Sequence, residues 1–220
     1  DGASARLHLA EIASHGYLVI APGQWRSGPN AQAAPEAPRG PAADGRLPAP
    51  ATTSAQLTAA LDWALAENLR EGSAFRGLID GGAVAVGGYS CGGMQALQVA
   101  ADPRWQTVVI QNSGLFNGGT SAITGMVADK ALLQTIHTPV LYLNGGETDI
   151  AYANGMDDFA RIGHVPAAMV NLPVGHGGTY HHAHGGKGAS IVVDWLEWQL
   201  RGNRSAARSF AGENCRLCSA

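Results

Sequence analysis

Residues 83–93 read Ala83-Val84-Ala85-Val86-Gly87-Gly88-Tyr89-Ser90-Cys91-Gly92-Gly93, and this stretch decides the fold. The unbroken apolar run Ala83–Val86 predicts a strand covered on both faces, and the spacing of small and apolar residues from Gly92 to Ala101 predicts a helix directly after it. Between them lies Gly88-x-Ser90-x-Gly92, a pattern too short to carry meaning alone. Its setting gives it content. A sharp strand-to-helix turn lifts a serine hydroxyl above the sheet edge, glycines on each side relieve backbone crowding, and the hydroxyl arrives at a helix N-terminus where free N–H groups favour negative charge. Ser90 is therefore a candidate nucleophile; the plain alternative is a glycine-rich turn with no chemistry.

Outward from this turn the same alternation repeats. Tyr17–Ala21, Thr107–Ile110, Val140–Leu143 and Ala167–Leu172 read as further strands. Helices are expected at about 3–14, stopped by His15-Gly16; at 55–69, capped by Thr53-Ser54; and at 188–200, with Ile191, Val192, Trp195, Leu196 and Trp198 as a bulky stripe. Apolar strands alternating with helices define an α/β class with a mostly parallel sheet flanked by helices. Residues 22–50 hold seven of the eleven prolines and read as a long surface loop, while 201–220 read as a polar tail. One domain over 1–200 plus that tail accounts for the 220 residues.

Composition narrows the function classes. Hydrophobic residues make up 45% and charged residues 14%, so a large core meets a weakly charged surface. A net charge of −3, with no basic run, argues against nucleic-acid binding, which needs a cationic stripe against phosphates. No stretch approaches the roughly 20 apolar residues of a membrane span. Arg6, His8 and Glu11 interrupt any signal-like apolar segment in residues 1–20, so the expectation is a processed, secreted chain, with a cytoplasmic one left open.

A serine nucleophile needs a base, and the base needs a carboxylate to fix its tautomer. His176, in Pro173-Val174-Gly175-His176-Gly177-Gly178, follows the last expected strand; Asp149, in Asn144-Gly145-Gly146-Glu147-Thr148-Asp149, follows Val140–Leu143. All three candidates thus sit past the C-terminal ends of parallel strands, where open α/β sheets carry their sites. Glu147, Asp157 and Asp158 are rival acids, and His181, His182 and His184 rival histidines. The run His181-His182-Ala183-His184 also has metal-ligand spacing, but no nearby cysteine or paired carboxylate completes a set, so no metal and no cofactor are expected. His8, His15, His137 and His164 read as surface or element-end residues. Cys91 reads as a small packed residue, not a nucleophile. Cys215-x-x-Cys218 sits after every predicted element, which favours a structural disulfide over a redox motif. Asn203-Arg204-Ser205 is a glycosylation sequon.

The order Ser90, Asp149, His176, with Ala13–Tyr17, Gly88–Gly93, Gln111–Gly114, Pro139–Asp149 and Gly175–Tyr180, resembles the α/β-hydrolase superfamily, close to secreted serine esterases, lipases and dienelactone-hydrolase-like proteins. The resemblance covers Glu11 to Leu200. It implies that Ser90 attacks an acyl carbon, His176 shuttles the proton, Asp149 orients His176, and the backbone N–H of Cys91 stabilises the oxyanion. Dienelactone hydrolases carry Cys at the elbow; Ser90 stands there here, which favours ester hydrolysis. The family also places several strands ahead of the helix that begins near Ala3, and draws its second oxyanion N–H from the loop before that helix. The chain is therefore expected to start after the family's N-terminal strands, which leaves the second oxyanion donor unassigned.

The resulting expectation is a cofactor-free hydrolase of small-molecule or polymeric carboxylic esters, with Trp25, Tyr89, Tyr152 and Tyr180 as candidate substrate walls. Alternatives are a peptidase or amidase on the same residues, a noncatalytic binding protein of the same fold, and a metal-dependent hydrolase.

Overall fold

The computed structural model describes residues 5–23 and 44–218. Four strands, β1 (Ala85–Tyr89), β2 (Thr107–Gln111), β3 (Val140–Asn144) and β4 (Ala167–Asn171), form one parallel sheet in the order β1-β2-β3-β4. The helices are α1 (Arg6–Ser14), α2 (Ala55–Leu69), α3 (Cys91–Val99), α4 (Tyr152–Arg161), α5 (Gly186–Arg201) and the short α6 (Arg204–Ala207). Consecutive strands are neighbours, and right-handed crossovers that advance in one direction all fall on one face. That face carries α3, a 3₁₀ turn at Lys130–Thr135 and α4, contributing Leu97, Leu133 and Ile162 to one core together with Leu61 of α2. On the other face, α1 and α5 bring Ile12, Ile191, Trp195 and Leu196 to a second core.

The unbroken apolar runs are explained by this double cover. Val108 and Ile110 of β2, with Val140 and Tyr142 of β3, enter the first core, whereas Val109, Leu141 and Leu143 enter the second. Every residue of both strands is buried. Edge strand β1 is thinner, with Val86 buried and Gly87 exposed.

Several expectations change. Tyr17–Ala21 is not a strand: no strand pairs with it among the described residues, Leu18 and Ile20 are 42% and 38% exposed, and only Tyr17 and Val19 pack against the second core. An apolar run alone does not make a strand, because the ladder needs a partner. The first strand at the turn begins two residues later than expected, at Ala85. Helix α4, which was not anticipated, carries Gly155 where its backbone meets the backbone of Gly114; a Cβ at Gly114 would lie 2.5 Å from the Gly155 nitrogen. The tail is not simply polar. Phe210 and Leu217 pack against the second core, Asn203 caps α6, and Cys215 and Cys218 are disulfide-bonded, leaving Cys91 as the free cysteine. His8, expected at the surface, is 2% exposed. Much of the proline-rich loop lies outside the described residues; of the rest, Leu47 bridges to Ile123. Among the described residues, no helix is long and apolar enough to cross a membrane.

Candidate active site

The turn between β1 and α3 holds Ser90 at φ 54°, ψ −119°, a conformation sparsely populated by residues with a side chain. The turn is fixed by its backbone. Ser90 N–H donates to Gln111 O at 3.0 Å, and Ser90 O accepts from Gly93 N–H at 3.0 Å and from Ser113 Oγ at 2.6 Å. Gly88 and Gly93 are the glycines that close approach requires: a Cβ at Gly88 would lie 2.2 Å from the Gly92 carbonyl carbon, and one at Gly93 2.5 Å from Ser113 Cβ. Gly92, the last glycine of the short pattern, has nothing among the described residues within 4 Å of its Cβ position.

His176 Nε2 lies 3.0 Å from Ser90 Oγ, and His176 Nδ1 lies 2.7 Å from Asp149 Oδ1. Both residues stand in loops past strand ends, Asp149 after β3 and His176 after β4. These loops meet tightly, since Gly175 N–H donates to Gly145 O at 2.8 Å. Burial pushes the Asp149 carboxyl upward, but hydrogen bonds from His176, from the amides of Ala151 and Gly145, and from Asn112 outweigh it and hold the group at about 2. Asp149 is thus an anion at neutral pH with its oxygens already satisfied. It faces the imidazole as a fixed acceptor, so His176 carries its proton on Nδ1 and turns Nε2 to the serine as an acceptor.

The rival residues are engaged elsewhere. Glu147 is exposed; Asp157 pairs with Lys130 and Arg161 at 3.0 and 2.8 Å; Asp158 is buried and accepts from Lys130 at 2.5 Å and Leu115 N–H at 2.8 Å. His181 and His182 are exposed, and His184 pairs with Glu11 at 2.9 Å. No group of three His, Cys, Asp or Glu side chains clusters for a metal ion among the described residues.

Cys91 opens α3, so its N–H is at a helix position without an intrahelical acceptor, beside Ser90. Its thiol is part-buried against the first core, and that burial raises its pKa and keeps it protonated.

Of the aromatic walls, Tyr89 is 37% exposed and lies tilted against His176 at 5.3 Å between ring centres, donating its hydroxyl to His176 O at 2.9 Å. Tyr180 does not line an open cleft. It is 4% exposed and gives its hydroxyl to Asn112. Tyr152 lines a separate recess with Gly146, Glu147, Thr148, Asn171 and Pro173. Trp25 lies outside the described residues.

Asn112 and Ser113 were quoted above only within a resembling stretch, without roles. The polar stretch Gln111-Asn112-Ser113 directly after the apolar run Thr107–Ile110, at the strand end where the site lies, was the available signal. The fold and site define a parallel α/β protein with a hydrogen-bonded serine, histidine and aspartate at its strand ends. No protein-family model matches the chain, and no curated protein matches it.

Proposed function

We propose that this protein is a serine hydrolase of carboxylic esters, with the α/β-hydrolase fold. The observation that carries the reading is the unbroken path Ser90 Oγ–His176 Nε2 at 3.0 Å and His176 Nδ1–Asp149 at 2.7 Å, starting on a strained strand–helix turn. A buried carboxylate, an imidazole and a half-exposed hydroxyl so aligned are the parts of acyl transfer.

His176 Nε2 takes the Ser90 proton as Oγ bonds to the acyl carbon. The Cys91 N–H donates to the resulting oxyanion at the N-terminus of α3. The imidazolium, stabilised by Asp149, then gives its proton to the departing alcohol, leaving an acyl-Ser90 ester. Water, deprotonated by His176, attacks that ester; the carboxylic acid leaves and Ser90 regains its proton.

Oxidising compartments preserve disulfides, so the Cys215–Cys218 bond supports a secreted protein. The test is turnover of p-nitrophenyl acetate and butyrate without added cofactor, together with labelling by a fluorophosphonate probe. Both activities are expected in the parent and absent in Ser90→Ala. A folded parent that neither turns over ester nor takes the probe would instead be a binding protein.

A further inference from the structure

Asn112 holds the acid and the histidine loop together, and the way it does so assigns it a part in the chemistry that packing alone does not require. Its side-chain amide is 2% exposed and uses both ends. Nδ2 donates to Asp149 Oδ2 at 2.7 Å and to Gly175 O, the carbonyl just before His176, at 3.1 Å. Oδ1 accepts the hydroxyl of Tyr180. Asn112 adopts φ 45°, in the region residues with side chains seldom enter, while its N–H stays in the sheet through Leu143 O at 2.7 Å. The backbone takes a left-handed conformation, which asparagine tolerates better than most residues with a side chain, at the position that aims this amide.

An asparagine amide can flip, exchanging donor for acceptor. Flipped, Oδ1 would face the Asp149 carboxylate and the Gly175 carbonyl, an arrangement of acceptors against acceptors. Tyr180 prevents it. Its hydroxyl is buried, and burial first, then the nearby Tyr89 and Asp149, hold its pKa well above the ordinary value, so it remains a donor. The donor fixes Oδ1 and therefore aims Nδ2 at Asp149. Tyr180 is itself wedged against His8 and Tyr89, at ring distances of 5.1 and 4.8 Å.

We propose that Asn112 is a positioning residue of the serine hydrolase, locked in orientation by Tyr180, which sets the place and charge of Asp149 relative to His176. This rests on the proposed function. Without Nδ2, the second oxygen of Asp149 keeps only the Gly145 amide, at 3.0 Å. A less satisfied carboxylate is more basic and stabilises an imidazolium more strongly.

The test uses the intact chain on p-nitrophenyl butyrate. Asn112→Gly keeps a residue suited to positive φ and deletes the side chain with its amide, separating backbone strain from the loss of the hydrogen bonds. Expected are a melting temperature lowered by the loss of three buried hydrogen bonds, a kcat lower by about 10- to 100-fold with KM little altered, and an acid limb of the kcat/KM profile moved to higher pH. Tyr180→Phe should lower kcat less and move the limb the same way, and adding it to Asn112→Gly should cost nothing further. A merely structural role predicts a lower melting temperature with kcat and the limb unmoved, and that result overturns the proposal. Full additivity of the two substitutions overturns the orientation lock. Should Asn112→Gly fail to fold, Tyr180→Phe decides alone by whether its limb moves. Fluorophosphonate labelling of Ser90 in the parent separates the two readings: labelling with unmoved Asn112 variants sinks this inference only, whereas an unlabelled, folded parent sinks the hydrolase and this inference with it.

Discussion

The two halves of the candidate site are held in place by different means. Ser90 is positioned by backbone: a positive φ, ladder and turn hydrogen bonds, and glycines pressed against neighbouring main chain. Asp149 and His176 stand in two loops joined by the Gly175 N–H to Gly145 O bond, and their side chains are set by the further hydrogen bonds of Asn112, Tyr180 and Tyr89. The difference teaches where mutations should be felt. Damage to the first half should appear as lost folding, and damage to the second as lost chemistry in a folded protein.

Asp149→Asn gives the largest expected effect on the side-chain-held half. It retains the shape but offers the imidazole the wrong tautomer, so kcat should fall by about 10⁴-fold while the melting temperature moves little. A small loss of rate accompanied by unfolding would erase the distinction between the halves. Gly88→Ala attacks the backbone-held half. Its Cβ would meet the Gly92 carbonyl carbon at 2.2 Å, main chain that cannot swing aside, so urea denaturation should show a loss of more than about 3 kcal/mol.

Beneath the side-chain-held half lies His8, whose Nε2 accepts from Gln111 Nε2 at 3.0 Å while Nδ1 has no hydrogen-bond partner among the described residues. Burial lowers its pKa from 6.5 to about 4. The folded protein therefore binds fewer protons than the unfolded chain between these values. The stability present above pH 6.5 is lost as pH falls toward about 4, to a total of about 3 kcal/mol. His8→Leu should flatten that part of the stability profile, and an unchanged profile would show that His8 is not its source. The smallest effect is expected from Gly92→Ala. Although Gly92 belongs to the short pattern, open space surrounds its Cβ position, and a helical alanine should leave stability unchanged or raise it by up to about 1 kcal/mol.

The two halves were also unequally legible in sequence. Strands β2 and β3 declare themselves because burial on both faces needs unbroken apolar runs, and α5 because Ile191, Val192, Trp195 and Leu196 cover one face. Ser90, Asp149 and His176 could be picked out because each follows a readable strand. Tyr17–Ala21 misled because strand formation depends on a partner elsewhere in the chain. Helix α4 went unread although Tyr152, Met156 and Phe159 stand at helical spacing, since Gly155 and four polar residues dilute the stripe. The parts of Asn112 and Tyr180 were harder to assign for a different reason. Their contact spans 68 residues, and nothing local marks an asparagine for positive φ or a tyrosine for burial rather than a cleft wall.

The central claim is that His176 and Asp149 activate Ser90. Its most direct measurement is the intact mass of the folded protein after exposure to a fluorophosphonate, with the modified residue located by peptide mapping. One adduct is expected, on Ser90, absent in Ser90→Ala and strongly slowed in Asp149→Asn. A folded parent that stays unmodified, or is modified elsewhere with Ser90 untouched, would contradict it.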